Sequence, residues 1–292
     1  FCMRQRCNQM ISFLLIIVLL PCIITVFING PSVMTSARLG NDYVKVKVNG
    51  NVKEVPLDTY CIGLLAKEIP IGYQKETIKA QAVLVRTSLY KKMTEEGKDV
   101  VFGEDFWSEK EMEKQWGGKF GENYEKLEDA WEETEGQVLT YNDKPIQGPF
   151  HRLSNGSTRD GKEVFGTDDY PYLKKKECPK DVEAKDAMQT FMLEKKTYEI
   201  VSNDSAGYVK EIKEDGKACT GEEFREKYGL ASSCFTLQDY EGKVRVTTKG
   251  VGHGIGMSQY TAEQMAKEKK PYTEILSYFF EGSTMKEVAE IL

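Results

Sequence analysis

The spacing of hydrophobic residues changes its period several times along this chain. Residues 10–28 read MISFLLIIVLLPCIITVFI, with no charge over a length that would cross a bilayer. This run has no polar face, which argues against a half-buried core helix. Val44, Val46 and Val48 then alternate with lysines, a period of two that predicts a strand, and Asn49-Gly50-Asn51 offers a hairpin turn. Asp58 is the expected N-cap of a first helix, in which Cys61, Leu64, Leu65 and Glu68 fall at i, i+3, i+4 and i+7 before Pro70 ends it. A second helix is expected over 75–93, with Ile78, Ala82, Val85 and Leu89 as its apolar stripe.

Residues 94–136 read as an excursion of charged helices and loops carrying Trp107, Trp116 and Trp131. Ordinary packing accounts for these tryptophans, and sugar stacking is the alternative. Strand-like sequence returns at 137–150, broken at Asn142-Asp143, and a polar loop follows over 151–163. Residues 196–215 and 233–249 read as hairpins, with Thr220 and Glu223 forming a capping box for a short helix between them. Four glycines alternate over 250–256, and two helices close the chain. The expected class is α+β: two helices carrying Glu68 and Arg86 against antiparallel sheet elements. Neither a repeat nor a linker divides residues 29–292, which are taken as one domain.

Arg4 and Arg6 precede the apolar run and no acidic residue does, so the positive-inside rule puts residues 1–28 as a cytoplasmic tail and transmembrane anchor, with the rest outside. A cleaved signal peptide is the competing reading, although Phe27-Ile28-Asn29 makes a poor cleavage site. Beyond the anchor, 38 basic residues stand against 46 acidic ones, a net charge of −8. No basic stripe suggests nucleic acid. Outside the anchor, Cys61, Cys178, Cys219 and Cys234 are too few for a disulfide scaffold, and the spacing leaves a Cys219–Cys234 bridge open.

Three segments could carry chemistry. Glu68 shares an apolar stripe and lies in the last turn of its helix; burial and the helix dipole both favour the protonated carboxyl that a general acid needs. A surface glutamate at a frayed helix end is the plain alternative. His151, Arg152, Ser154, Asn155, Gly156 and Thr158 crowd one loop suited to polar ligands, or form a turn around Asn155-Gly156. Gly250, Gly252, Gly254 and Gly256 flank His253 and permit a close backbone approach, but they lack dinucleotide-site spacing. A tight structural turn would serve equally.

Together the segments resemble the stage II sporulation protein D family. The resemblance is carried by Leu64-Leu65-Ala66-Lys67-Glu68-Ile69-Pro70, Lys79-Ala80-Gln81-Ala82-Val83, Arg86-Thr87, the stretch 151–158, the stretch 252–260 and Tyr272-Thr273-Glu274-Ile275-Leu276. It spans 54–284, in the family's order. It implies a peptidoglycan lytic transglycosylase with a substrate cleft where the motifs converge. Such an enzyme cuts between N-acetylmuramic acid and N-acetylglucosamine, leaves a 1,6-anhydro end, and prefers strands stripped of peptides. Glu68 matches the family's catalytic glutamate; Gln81, Arg86, His151, Ser154, Thr158, His253, Ser258 and Gln259 are the candidate substrate-binding residues. The implied partners are glycan strands and the P amidase and M protein of the engulfment machinery at the sporulation septum. Lys67 stands where the family usually has a small residue, and Ile69 where it has methionine. Some relatives carry zinc, but no cysteine lies within 26 residues after His151, so no metal or other cofactor is expected. The same domain occurs in amidase enhancers, a non-catalytic alternative.

Overall fold

The computed structural model describes residues 43–103 and 105–291. The expected anchor lies outside the described residues, among which no helix is long and apolar enough to cross a membrane.

The first hairpin forms as its pattern requires. Strand β1 (Tyr43–Val48) pairs antiparallel with β2 (Asn51–Pro56). Asn49 and Gly50 turn the chain at φ 50° and 78°, the positive values a two-residue hairpin demands. Helix α1 (Leu57–Glu68) begins directly after Pro56, so Asp58 lies inside its first turn and is not the N-cap. A distant donor takes its carboxylate instead: Trp131 Nε1 donates to Asp58 at 2.7 Å. Ile69 turns extended (φ −111°, ψ 135°), as a residue before proline does, and this fixes Glu68 as the last residue of α1.

Helix α2 (Lys75–Glu96) is the central element. Ile78, Ala82, Val85 and Leu89 enter a core with α1 and β1, while Ala80, Val83 and Leu84 enter a second core on its other side. The stripe visible in the sequence is thus one of two buried faces. The excursion comprises β3 (Val101–Phe102), α3 (Glu109–Trp116) and α4 (Phe120–Glu132). Mid-helix Gly63 lets this excursion lie directly on α1: a Cβ there would come within 2.7 Å of the Phe106 ring, and Trp107 N donates to the Gly63 carbonyl.

Then follow β4 (Gln137–Tyr141), β5 (Lys144–Pro145), β6 (Phe150–His151) and α5 (Gly161–Phe165). A separate small lobe holds β7 (Met188–Glu194), β8 (Tyr198–Asn203), β9 (Val209–Glu214), β10 (Lys217–Thr220), α6 (Gly221–Tyr228), β11 (Phe235–Tyr240) and β12 (Lys243–Lys249). The Thr220–Glu223 capping box opens α6, and Phe224 packs between the lobe's two sheets with Ile212, Phe235 and Val246. The chain ends with β13 (Met257–Ser258), α7 (Gln259–Lys267), α8 (Tyr272–Phe279) and β14 (Thr284–Glu287).

The α+β class holds, but the strands among the described residues form five small sheets, two of which contain parallel pairs, β1–β3 and β6–β13. Strands β7 and β14 escaped the hairpin pattern because their partners are remote: β7 extends the β11–β12 hairpin and β14 pairs with β4. None of the four described cysteines is bridged, Cys219 and Cys234 included.

Candidate active site

Glu68 opens onto a cavity of about 430 Å³. One wall is the end of α1 and the turn after it, from Ala66 to Ile71. A second holds Trp107 and Trp116 from the excursion, and a third holds His151, Arg152 and Gln259. Among the described residues lining the cavity, Glu68 carries the one carboxyl group. Burial pushes its pKa above the ordinary carboxylate value, the negative charge of Asp105 pushes the same way, and Lys67 opposes them. Lys67 is itself held in an ion pair by Asp105.

The glutamate is positioned from the far end of the sequence. The last carbonyls of a helix lack intrahelical partners. Gln259, the first residue of α7, fills one of them: its Nε2 donates to the Glu68 carbonyl at 3.0 Å and to Gln81 Oε1 at 3.1 Å. Gln81 is fully buried on α2, and its own Nε2 has no hydrogen-bond partner among the described residues.

The parallel β6–β13 pair sets His151 beside Ser258. His151 Nδ1 lies 3.1 Å from the Ile255 carbonyl. A carbonyl can only accept, so Nδ1 carries the ring proton and Nε2 presents a lone pair. That buried Nε2 has no partner among the described residues. Burial and the adjacent His253 push the His151 pKa down to about 3, so the ring is neutral at physiological pH. His253 stands 5.8 Å away, ring to ring, and its Nδ1 accepts from Ile255 N. Burial lowers its pKa as well.

The glycine run approaches the chain itself. Gly250, Gly252, Gly254 and Gly256 all have positive φ. A Cβ on Gly250 would meet the Leu153 carbonyl at 2.8 Å, one on Gly252 the His151 Cβ at 2.8 Å, one on Gly254 the Tyr208 ring, and one on Gly256 the Pro149 carbonyl. The two histidine loops interlock because no side chain separates them.

The remaining candidates face inward. The Arg86 guanidinium donates to the Thr134 carbonyl at 2.6 Å and the Trp131 carbonyl at 3.0 Å and lies 3.7 Å over the Trp131 ring, away from the Glu68 cavity. Ser154 Oγ accepts from Gly156 N. Thr158 Oγ1 donates to the Lys174 carbonyl and accepts from Lys176 N. Ser258 caps α7 by accepting from Thr261 N and donates to Asp181. Thus Glu68, His151 and Gln259 meet at the cavity with Gln81 behind them, while Arg86, Ser154, Thr158, Ser258 and His253 sit in the supporting framework.

Three framework residues carried no sequence signal. Buried Asp181 accepts from Ser154 N, Ser258 Oγ and Thr261 Oγ1. Buried Glu263 accepts from Gln74 N and Thr77 Oγ1, tying α7 to the start of α2. Arg159 pairs with buried Asp204 at 2.6 Å and donates to the His253 carbonyl. Each is a single charged residue whose partners are far away in sequence. Tryptophan was the detectable signal: Trp107 and Trp116 form an edge-to-face pair 6.2 Å apart at the cavity, whereas Trp131 packs on Arg86.

A family model described as "Stage II sporulation protein" matches residues 46–141. Over 269 residues the chain is 32% identical to stage II sporulation protein D of Bacillus amyloliquefaciens, covering 84% of this chain and 78% of that protein. It is 33% identical to stage II sporulation protein D of Bacillus subtilis (strain 168), with the same coverage. The chain belongs to the stage II sporulation protein D family. A stretch of 54 residues is also 39% identical to the amidase enhancer of Bacillus subtilis (strain 168), covering 18% of this chain and 8% of that protein.

Proposed function

We propose that this family member is a peptidoglycan lytic transglycosylase that cuts between N-acetylmuramic acid and N-acetylglucosamine. The observation that carries the reading is a single carboxyl group, its pKa raised by burial, in a cavity walled by tryptophans and a neutral histidine. Ordinary retaining and inverting glycosidases use two carboxyl groups. One suffices where the sugar supplies its own nucleophile.

Protonated Glu68 gives its proton to the bridging oxygen as the C1–O bond of the muramic sugar breaks. The new carboxylate then takes the proton of the 6-hydroxyl of the same sugar, and O6 closes on C1. No water is consumed, and Glu68 ends protonated as it began. The His151 Nε2 lone pair suits a saccharide hydroxyl or amide N–H, and the tryptophan faces suit the apolar faces of the sugar rings. Gln259 holds the backbone of Glu68 and so limits where the acid can reach. In this reading residues 10–28 anchor the chain with residues 29–292 outside the membrane, and the substrate is the septal wall of a sporulating cell, where the P amidase and M protein would be its partners.

The test is to incubate the purified protein with glycan strands and analyse the ends by mass spectrometry. Anhydro-muramic ends that vanish in Glu68→Gln are expected. Reducing ends formed by added water would refute the ring closure. The similarity to an amidase enhancer supports a second reading, in which the domain activates an amidase and Glu68 is dispensable. A folded protein that yields no cut strands yet stimulates an amidase equally well as Glu68→Gln would establish it.

A further inference from the structure

The small lobe has an edge strand without the usual guards. Strand β7 lies outermost in the sheet β11–β12–β7. Residues 187–193 read Ala-Met-Gln-Thr-Phe-Met-Leu, with no charge, proline or glycine. Soluble proteins blunt a free edge with charges, prolines or bulges. Other edges among the described strands follow that rule. Strand β2 carries Lys53, Glu54 and Pro56, β8 carries Glu199 and shifts register over 200–203, and β11 carries Asp239.

The backbone of β7 is set for pairing. In an antiparallel ladder successive residues turn their N–H and C=O groups to opposite sides. Gly250 N donates to the Ala187 carbonyl, so the odd-numbered residues of 187–193 face β12. The groups of Met188, Thr190 and Met192 then point to the outer edge, where no strand of the described residues pairs with them. Met188 and Met192 are 62% and 45% exposed. Phe191 and Leu193 pack inward on the lobe's core, so the edge is held in place before any partner arrives.

The strand that fits this edge is β7 of a second copy. An antiparallel neighbour pairs residues whose outward groups coincide, so even positions must meet even positions. The uncharged window is centred on Thr190, and a two-fold axis there lays the window on itself. Thr190 meets the partner's Thr190, Met188 the partner's Met192, and Ala187 the partner's Leu193. The next open register on either side would set Asp186 or Glu194 opposite a methionine. The flanking acids are already held, Asp186 by Arg152 and Glu194 by Lys243.

We propose that this chain self-associates through β7, joining two three-stranded sheets into one antiparallel sheet across a two-fold axis. The contact uses the same edge on both copies, so it closes at a dimer. One edge pairing is small beside a standard interface of about 800 Å² per partner, so the dimer is weak and forms as the copies are concentrated.

Disulfide trapping in the full chain tests this, using Thr190→Cys at high micromolar concentration. A hydrogen-bonded antiparallel pair places its Cα atoms about 5.5 Å apart, within the span of a disulfide. After mild oxidation, mass spectrometry should find the substituted β7 peptide linked to its own copy, which distinguishes this link from any made by the native cysteines. Thr236→Cys lies in the same row of side chains but on the far strand β11, and should be trapped at least about tenfold less. Charges then test the register. Met188→Lys with Met192→Lys, added to Thr190→Cys, sets two like-charged pairs across the axis and should cut trapping roughly tenfold. Met188→Lys with Met192→Glu sets two opposite-charged pairs and should keep or raise it. Both methionines are exposed, so either pair of substitutions leaves the fold intact. Absent trapping, equal trapping in Thr236→Cys, or equal trapping in the two charge variants would overturn the proposal.

Discussion

Removing the Asp181 carboxylate should loosen the whole site. The residue is fully buried in the turn 179–183 and accepts from Ser154 N at 2.7 Å, Ser258 Oγ at 2.6 Å and Thr261 Oγ1 at 2.6 Å. These donors belong to the loop after β6, the N-cap of α7 and its first turn, so one side chain ties the His151 loop to the helix that carries Gln259. Hydrogen bonds to a charged acceptor contribute about 1.5–3 kcal/mol each, and stranded buried donors cost about 1–3 kcal/mol. The two hydroxyls can rotate toward other acceptors while the Ser154 amide cannot, so Asp181→Ala should cost about 4 kcal/mol rather than the full sum. Asp181→Asn keeps one acceptor oxygen and should cost about 2 kcal/mol. In urea, with a slope of about 3 kcal/mol/M, the midpoints should fall by about 1.3 M and 0.7 M at unchanged slope. Asp181→Asn should also lose roughly tenfold in kcat where it is still folded, because Gln259 no longer holds Glu68 in register. A midpoint shift below about 0.3 M for Asp181→Ala would refute the account of this residue as the joint between the motifs.

Arg86→Lys cannot satisfy the carbonyls of Thr134 and Trp131 with one planar fork, so it should lower stability by about 2–3 kcal/mol while the folded fraction keeps its KM; a raised KM would place Arg86 in substrate binding after all. Asp105→Asn removes a charge that raises the Glu68 pKa and frees Lys67, which lowers it. Both effects act in one direction, so the basic limb of the kcat/KM profile should move to lower pH, and an upward or absent shift would show that Asp105 does not tune the acid. Since the folded-state pKa of Glu68 lies above its unfolded value, its ionisation costs stability as pH rises through that window. Glu68→Gln should therefore have a higher Tm than wild type at pH 8, with the difference closing on the acid side of the unfolded pKa, and a lower Tm at pH 8 would contradict the sign. Gly256→Ala must place a Cβ against the Pro149 carbonyl at φ 72°, and a loss of about 2–4 kcal/mol by thermal unfolding is expected; a near-neutral result would mean the loops can part.

Local signals in the chain were reliable where the physics is local. The Asn49-Gly50 turn, the Thr220–Glu223 box and the stop at Pro70 depend on neighbours within a few residues, and all three form. Asp58 shows the limit: its cap propensity lost to an indole 73 positions away. For the same reason β7 and β14 were invisible, since a strand whose partner is remote carries no turn to announce it.

At the site, helix periodicity, loop polarity and the family resemblance nominated Glu68, His151 and Gln259 alongside Gln81, Arg86, Ser154, Thr158, His253 and Ser258 without ranking them, and it is the packing that brings the first three to one cavity. Their separation from Arg86, Ser154, Thr158 and Ser258, which serve the framework, came from the packing. A buried hydroxyl or guanidinium reads the same in a sequence whether it meets a ligand or a backbone carbonyl. The glycine run carried the same ambiguity, and the positive φ values with His151, Leu153, Tyr208 and Pro149 against them show what the backbone approaches. Sequence by itself determined the chemistry available and the helix end that holds Glu68. Tertiary structure alone decided the rest: that α7 caps α1 through Gln259, that Asp181, Glu263 and Arg159 lock the loops, and that Lys67 and Arg152 face one cavity. Those contacts join residues tens to hundreds of positions apart, and no local periodicity encodes which distant donor reaches a given acceptor first.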